Sequence, residues 1–181
     1  TIQIKLIIIY VLLILIAMQL IGIYFVKTLE SSFVSNFSET LNKQAYLIAE
    51  YVEPYLTAYQ EGKNAGEQKT YGDLNVVVNN LNTISKAEIQ IIDANGVVLS
   101  TSLQTHQSIV GDKNTGTEVS RALQGIKQNE TTMFDPAGLR NKVLAMPVEN
   151  GTKVIGAVYM IASMEDLYAT INRINRILFS G

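Results

Sequence analysis

From Leu6 to Val26 the chain carries no charged residue, and Lys5 and Lys27 close the run on either side. At helical rise this run spans about 30 Å, the depth of a bilayer's hydrocarbon core. It is apolar on every face, unlike a core helix of a soluble protein. It is also too long, and lacks the small-residue end, for a cleaved leader. The pattern predicts a membrane anchor over 1–27. Past Lys27 the apolar positions turn periodic: Leu29, Phe33, Phe37, Leu41, Ile48, Val52, Tyr55 and Tyr59 follow at steps of three, four or seven. That is one face of a long helix continuing out of the membrane. Pro54 is expected to kink it or end its regular part, and Glu61 to Gly66 reads as a loop.

Leu74, Val77, Val78, Leu81 and Ile84 mark a second, shorter helix, after which the period falls to two. Ala87 to Asp93 and Val97 to Ser100 read as strands joined by the turn Asp93-Ala94-Asn95-Gly96. Thr115 to Leu123 reads as a short helix closed by Gly125. Strands are then expected over Glu130–Phe134, Lys142–Val148 and Lys153–Ala162, the last two joined by a second Asn-Gly turn at Asn150-Gly151. Ser163-Met164-Glu165-Asp166 reads as a capping box with Asp at its last position. The helix it opens carries Leu167, Ile171, Ile174 and Leu178 as a seam pointing back to the membrane. The fold class is therefore α+β: a transmembrane helix continuing into a long helix, then a five-stranded antiparallel sheet with flanking helices. The expected organisation is an anchor at 1–27, a domain outside the membrane at 28–163, and at 164–181 a helix leading into a second membrane segment. Thr1 is no initiator methionine, so residues are expected to precede it.

Composition narrows the function. A net charge of −2 offers no basic surface for nucleic acid. Without cysteine there is neither disulfide nor thiolate chemistry, and one histidine, His106, builds no multi-histidine metal site. No catalytic residue is expected. Asp93, Asp112 and Asp135 each stand in a turn-like setting that accounts for an aspartate without acid–base work. His106 is followed by Gln107 rather than by Glu, so no phosphoacceptor box is present, and no glycine-rich loop is positioned to cradle a nucleotide. Within the anchor, Gln19 and Gly22 depart from plain lipid-facing chemistry. They read either as a helix-packing face between two copies of the chain or as tolerated residues near the span's end, with Tyr10 and Tyr24 at the interfaces.

The segments Tyr10 to Leu13, Met18-Gln19 and Ile21 to Phe25 resemble the first membrane helix of the WalK (YycG) sensor histidine kinases of low-GC Gram-positive bacteria. Met146-Pro147-Val148 and Val154 to Tyr159 continue the likeness more loosely. The order of elements around Asp93 to Gly96 is similar to the extracytoplasmic PAS-like or Cache domains of bacterial receptors. The resemblance implies a plasma-membrane sensor, acting as a homodimer and monitoring the cell wall. Peptidoglycan fragments or membrane regulatory proteins would be its input. A response regulator would be reached only through a kinase core beyond these residues, and that core would use ATP and Mg. No cofactor is expected in this segment. A Cache-like pocket on the sheet face under the long helix and central loops would involve His106, Arg121, Thr132, Arg140 and Tyr159. For Arg140 a solvated turn position, for Tyr159 a core ring and for His106 a surface loop are the competing readings. A chemoreceptor sensor domain and a constitutive membrane-tethered binding domain are the rival functions.

Overall fold

A computed structural model describes residues 1–64 and 72–180. The first helix, α1 (Ile2–Asn64), is unbroken. Pro54 lies inside it on an exposed position, so it neither ends the helix nor starts a loop. A proline costs one ladder bond, and on the solvent side water can satisfy the carbonyl it leaves free. Of the loop expected at 61–66, residues 61–64 are helical and the rest lie outside the described residues.

The remaining elements are α2 (Gly72–Ser85), β1 (Glu88–Asp93), β2 (Val98–Thr101), α3 (Thr117–Leu123), β3 (Asn129–Phe134), β4 (Arg140–Asn150), β5 (Lys153–Ser163) and α4 (Glu165–Phe179). A 3-10 turn occupies Gln104–Ile109. The five strands form one antiparallel sheet in the order β2-β1-β5-β4-β3, with β5 in the middle.

The chain divides into two compact units, Thr1–Phe37 with Asp166–Gly181, and Ser38–Glu165. In the first, the helix long and apolar enough to cross a membrane carries Gly22, and the Phe179 ring of α4 stands against it. A Cβ at Gly22 would lie 3.4 Å from that ring. Absence of a side chain thus lets α1 and α4 of the same chain approach closely.

In the second unit the sheet is covered on both faces. Leu41, Ala45, Ile48, Ala49, Val52 and Leu56 of α1 are buried. Leu56 reaches the backbone of β5 at Gly156, where a Cβ would collide with the Ile92 carbonyl oxygen and lie 3.0 Å from Leu56 Cδ1. The opposite face holds Ile92, Val98, Ala145 and Ala157 under Val119 and Ala122 of α3. A register shift lets β2 serve both faces. Ile91 pairs with Ser100 and Ile92 with Val98, leaving Leu99 as the extra residue of a bulge. Ser100 Oγ then bonds Asn75 Oδ1 of α2, while Val98 faces α3.

Two turns repeat one device. Asp93 Oδ1 accepts from the N–H of Asn95 and Val97 at 2.8 and 2.9 Å, and Asp135 Oδ1 accepts from Ala137 and Leu139 at 2.9 and 2.8 Å. A glycine at positive φ, Gly96 and Gly138, completes each. Gly125 closes α3 the same way, with Ile126 N donating to Arg121 O and Gly125 N to Ala122 O. The capping box is corrected. Ser163 is the last residue of β5, and its Oγ accepts from Glu165 N at 3.3 Å. It is the Glu165 carboxylate, rather than that of Asp166, that is engaged, accepting from Arg140 N at 3.1 Å on β4.

Candidate functional site

Strand β1 places Glu88, Gln90 and Ile92 on one face and Ile89 and Ile91 on the other, because side chains alternate. Ile92 goes under α3, so the polar pair Glu88 and Gln90 continues along the same face, beyond the helix's reach. Opposite them on β5 stand Ile161 and Tyr159, and Thr101 of β2 pairs with Gln90. This polar end of the face is roofed by the segment from Leu103 to Gly116. Backbone bonds hold that roof to the sheet edge: Val98 N donates to Asp112 O at 2.9 Å, Gly111 N to Val98 O at 2.8 Å and Asn114 N to Gly96 O at 2.8 Å.

Between roof and sheet runs a groove of about 460 Å³. Gln90, Tyr159, Val98 and Ile161 line its floor, with His106, Ile109, Asp112, Lys113, Asn114, Thr115 and Gly116 around it. At its base, Glu88 Oε1 accepts from His106 Nδ1 at 2.9 Å, Gln90 Nε2 at 3.0 Å and Thr101 Oγ1 at 3.2 Å. A carboxylate offers only lone pairs, so Nδ1 of His106 carries a proton. The Glu88 side chain is 9 % exposed and His106 is half in solvent, so the pair ties the roof to the sheet at the groove's edge. The Tyr159 hydroxyl is held above the ordinary phenol range, first by burial and then by the charges of Glu118 and Glu88. It therefore remains a hydrogen-bond donor at any physiological pH.

The expected site residues divide. His106 and Tyr159 come together in this groove. Arg121 is exposed on α3 and does not line it. Thr132 and Arg140 project from the opposite sheet face, since they alternate with Val143 and Ala145 across β3 and β4. Arg140 lies 6.0 Å from the Phe134 ring. The groove also lies on the face away from α1, not beneath it. Gly156 and Leu56 mark the α1 side, and the alternation of β5 puts Tyr159 on the other. Nothing in the sequence pattern singles out Glu88, Gln90 and Asp112. Polar residues alternating with isoleucines read as solvent-facing, and Asp112 read as a turn aspartate; unlike Asp93 and Asp135, its carboxylate builds no turn. In the anchor, Gly22 faces Phe179 of its own chain and Gln19 is exposed. Among the described residues no three His, Asp or Glu side chains converge as a metal site would.

A helix leading into a five-stranded antiparallel sheet roofed by a long loop, with the central strand passing into an exit helix, is the architecture of extracytoplasmic Cache or PAS-like sensor domains. The sensor domain of the Vibrio cholerae histidine kinase DctB shares it at a TM-score of 0.58 and 17 % identity, over 79 % of this chain and 56 % of that one. The Escherichia coli DcuS sensor domain shares it at a TM-score of 0.52 and 16 % identity, over 75 % of this chain and 97 % of that one. Residues 73–162 match the family described as the WalK sensor protein kinase Cache domain. The chain is 32 % identical over 180 residues to the sensor protein kinase WalK of Staphylococcus aureus, covering 98 % of this chain and 29 % of that protein. The chain belongs to the WalK family and carries its membrane-anchored, extracytoplasmic sensor region. It spans 29 % of the length of the curated relatives it matches.

Proposed function

We propose that this chain receives the signal for a membrane-bound histidine kinase and that the groove over Gln90 and Tyr159 is where the signal enters. One observation carries the proposal. Tyr159 stands on the central strand, and β5 ends at Ser163 where α4 begins at Glu165, about 13 Å of strand away. A ligand that prefers one packing of roof on sheet would shift β5 and with it the start of α4. Only such a difference in affinity can move the equilibrium. His106 and Tyr159 act as binding residues in this reading; Arg121, Thr132 and Arg140 do not.

The segment itself performs no catalysis. The parent protein would be an ATP- and Mg-dependent protein-histidine kinase that passes phosphate to a response regulator in answer to the state of the cell wall. It would work as a homodimer. Supporting this, the exposed side of α1 presents Leu47 and Tyr51 one turn apart, 63 % and 55 % exposed. Two copies anchored in one bilayer can bring that stripe together in parallel. Reading the coding sequence beyond Gly181 tests the parent's identity. The expected result is an apolar run of about 20 residues, then a helical linker and a His-Glu-x-x-x-Pro box. A long heptad hairpin in their place would make the output that of a chemoreceptor and refute the kinase reading.

A further inference from the structure

The hydrogen bonds at the groove floor leave one group unanswered. Gln90 is 4 % exposed, and its Nε2 is committed to the Glu88 carboxylate. Turning the amide over would set oxygen against oxygen, so Oε1 is fixed as an acceptor, and it accepts from no donor among the described residues. On the rim above, the exposed Asp112 carboxylate makes no ion pair among the described residues. Whatever enters the groove must bring hydrogen-bond donors.

The surrounding charge selects among donors. Asp112 lines the groove, Glu88 lies at its edge against His106, and Glu118 of α3 stands beside it, its Oε2 3.2 Å from where a Cβ on the lining residue Gly116 would stand. Lys113 and His106 are the cationic or titratable nitrogen groups on the lining, both exposed. Glu88 and Glu118 also raise the Tyr159 hydroxyl, after burial, which registers a negative potential at the floor. An anion would be opposed there. A neutral hydroxyl would satisfy Gln90 and can hydrogen-bond a carboxylate, but it gains no ion pairing with Asp112 and Glu118.

We propose that the groove takes a primary ammonium group, which donates to Gln90 Oε1 and pairs with the Asp112 carboxylate. This rests on reading the groove as the ligand site. An amino sugar or a lysine side chain of a peptide each presents that group.

The only histidine of the chain sits on the groove, so its imidazole signal in nuclear magnetic resonance reports on this site alone. The whole chain in detergent micelles, labelled at histidine, is titrated with glucosamine, Nα-acetyl-lysine methylamide, N-acetylglucosamine and glycerol 3-phosphate at constant pH. The expected result is a saturable shift with one or both ammonium probes and none with the other two; the tighter ammonium probe names the source. Asp112→Asn, at an exposed position, and Gln90→Met, matched in length, each weaken that binding about tenfold, a charge-assisted hydrogen bond's worth. An equal response to N-acetylglucosamine, or a response to glycerol 3-phosphate alone, overturns the ammonium assignment and leaves the groove as the ligand site. Silence with all four probes overturns both.

Discussion

Replacing Gly156 by alanine tests the packing on which the rest depends. The glycine is on the central strand, opposite Asp93 of β1, with Ile92 pairing to Ala157 beside it. A methyl group there would collide with the Ile92 carbonyl oxygen and press on Leu56 Cδ1 at 3.0 Å. The leucine end can swing aside, but the carbonyl belongs to the neighbouring strand and cannot move without opening the sheet. Overpacking of this kind costs about 1–3 kcal/mol, and an immovable backbone partner puts the change at the upper end, about 3 kcal/mol. For a chain of this size that lowers the melting temperature by about 6–12 °C. Gly111→Ala is the matched control. Its φ is +95°, yet nothing lies within 4 Å of a Cβ there, so only backbone strain of about 1–2 kcal/mol is incurred. Thermal melts of both variants in micelles, followed by circular dichroism, decide the matter. A Gly156→Ala melt within about 2 °C of wild type, or milder than that of Gly111→Ala, would refute the close approach of the Ile92 carbonyl of β1 to Gly156 of β5.

Glu88→Gln removes the carboxylate that three donors share, and with an NH₂ in place of one oxygen it forces a donor toward another; a loss of about 1–3 kcal/mol is expected in denaturant melts. Because Tyr159 has a raised folded-state pKa, the stability it contributes is complete below the unfolded value of 10.0 and is lost as pH rises through the folded value. Melting temperature should therefore fall more steeply above pH 10.0 in wild type than in Tyr159→Phe, and identical slopes would contradict the burial and charges assigned to it. Cysteines placed at Gly22 and Phe179, in a chain that has none of its own, should be joined within one chain by a short bis-maleimide. Products linked only between chains would show that Gly22 packs against a second copy instead.

The elements were legible because each rests on local chemistry. The anchor is an uncharged run, the hairpins β1–β2 and β3–β4 close on Asx turns with a glycine, and Gly151 takes positive φ in the turn from β4 to β5. The central strands alternate, and α3 ends where Gly125 takes positive φ. The helix runs on past Pro54 rather than ending there, because a proline's cost depends on which side of the helix meets water, a tertiary fact. The capping box misled by one residue because Ser163 stays in the ladder of β5, paired with Asn141, leaving Met164 to join strand and helix. The candidate site was half legible. His106 and Tyr159 stand out as a lone imidazole and a tyrosine in an apolar strand. Gln90 and Glu88 did not stand out, because alternation alone cannot tell a strand's solvent face from a face roofed by a loop 13 or more residues away. That roof is placed by backbone bonds from 111–114 to 96–98, which leave no mark in side-chain pattern. Thr132 and Arg140 share polar side-chain chemistry with His106, but strand parity sends them to the opposite face.

We propose that the groove on the α3 side of β5 controls what α4 passes on. The most direct test is autophosphorylation of the whole kinase in lipid nanodiscs, comparing wild type with Thr115→Trp, which fills the groove from an exposed rim position. The expected result is a severalfold change in phosphorylation rate with an unchanged melting temperature. An unchanged rate in a protein whose groove is demonstrably filled would contradict it.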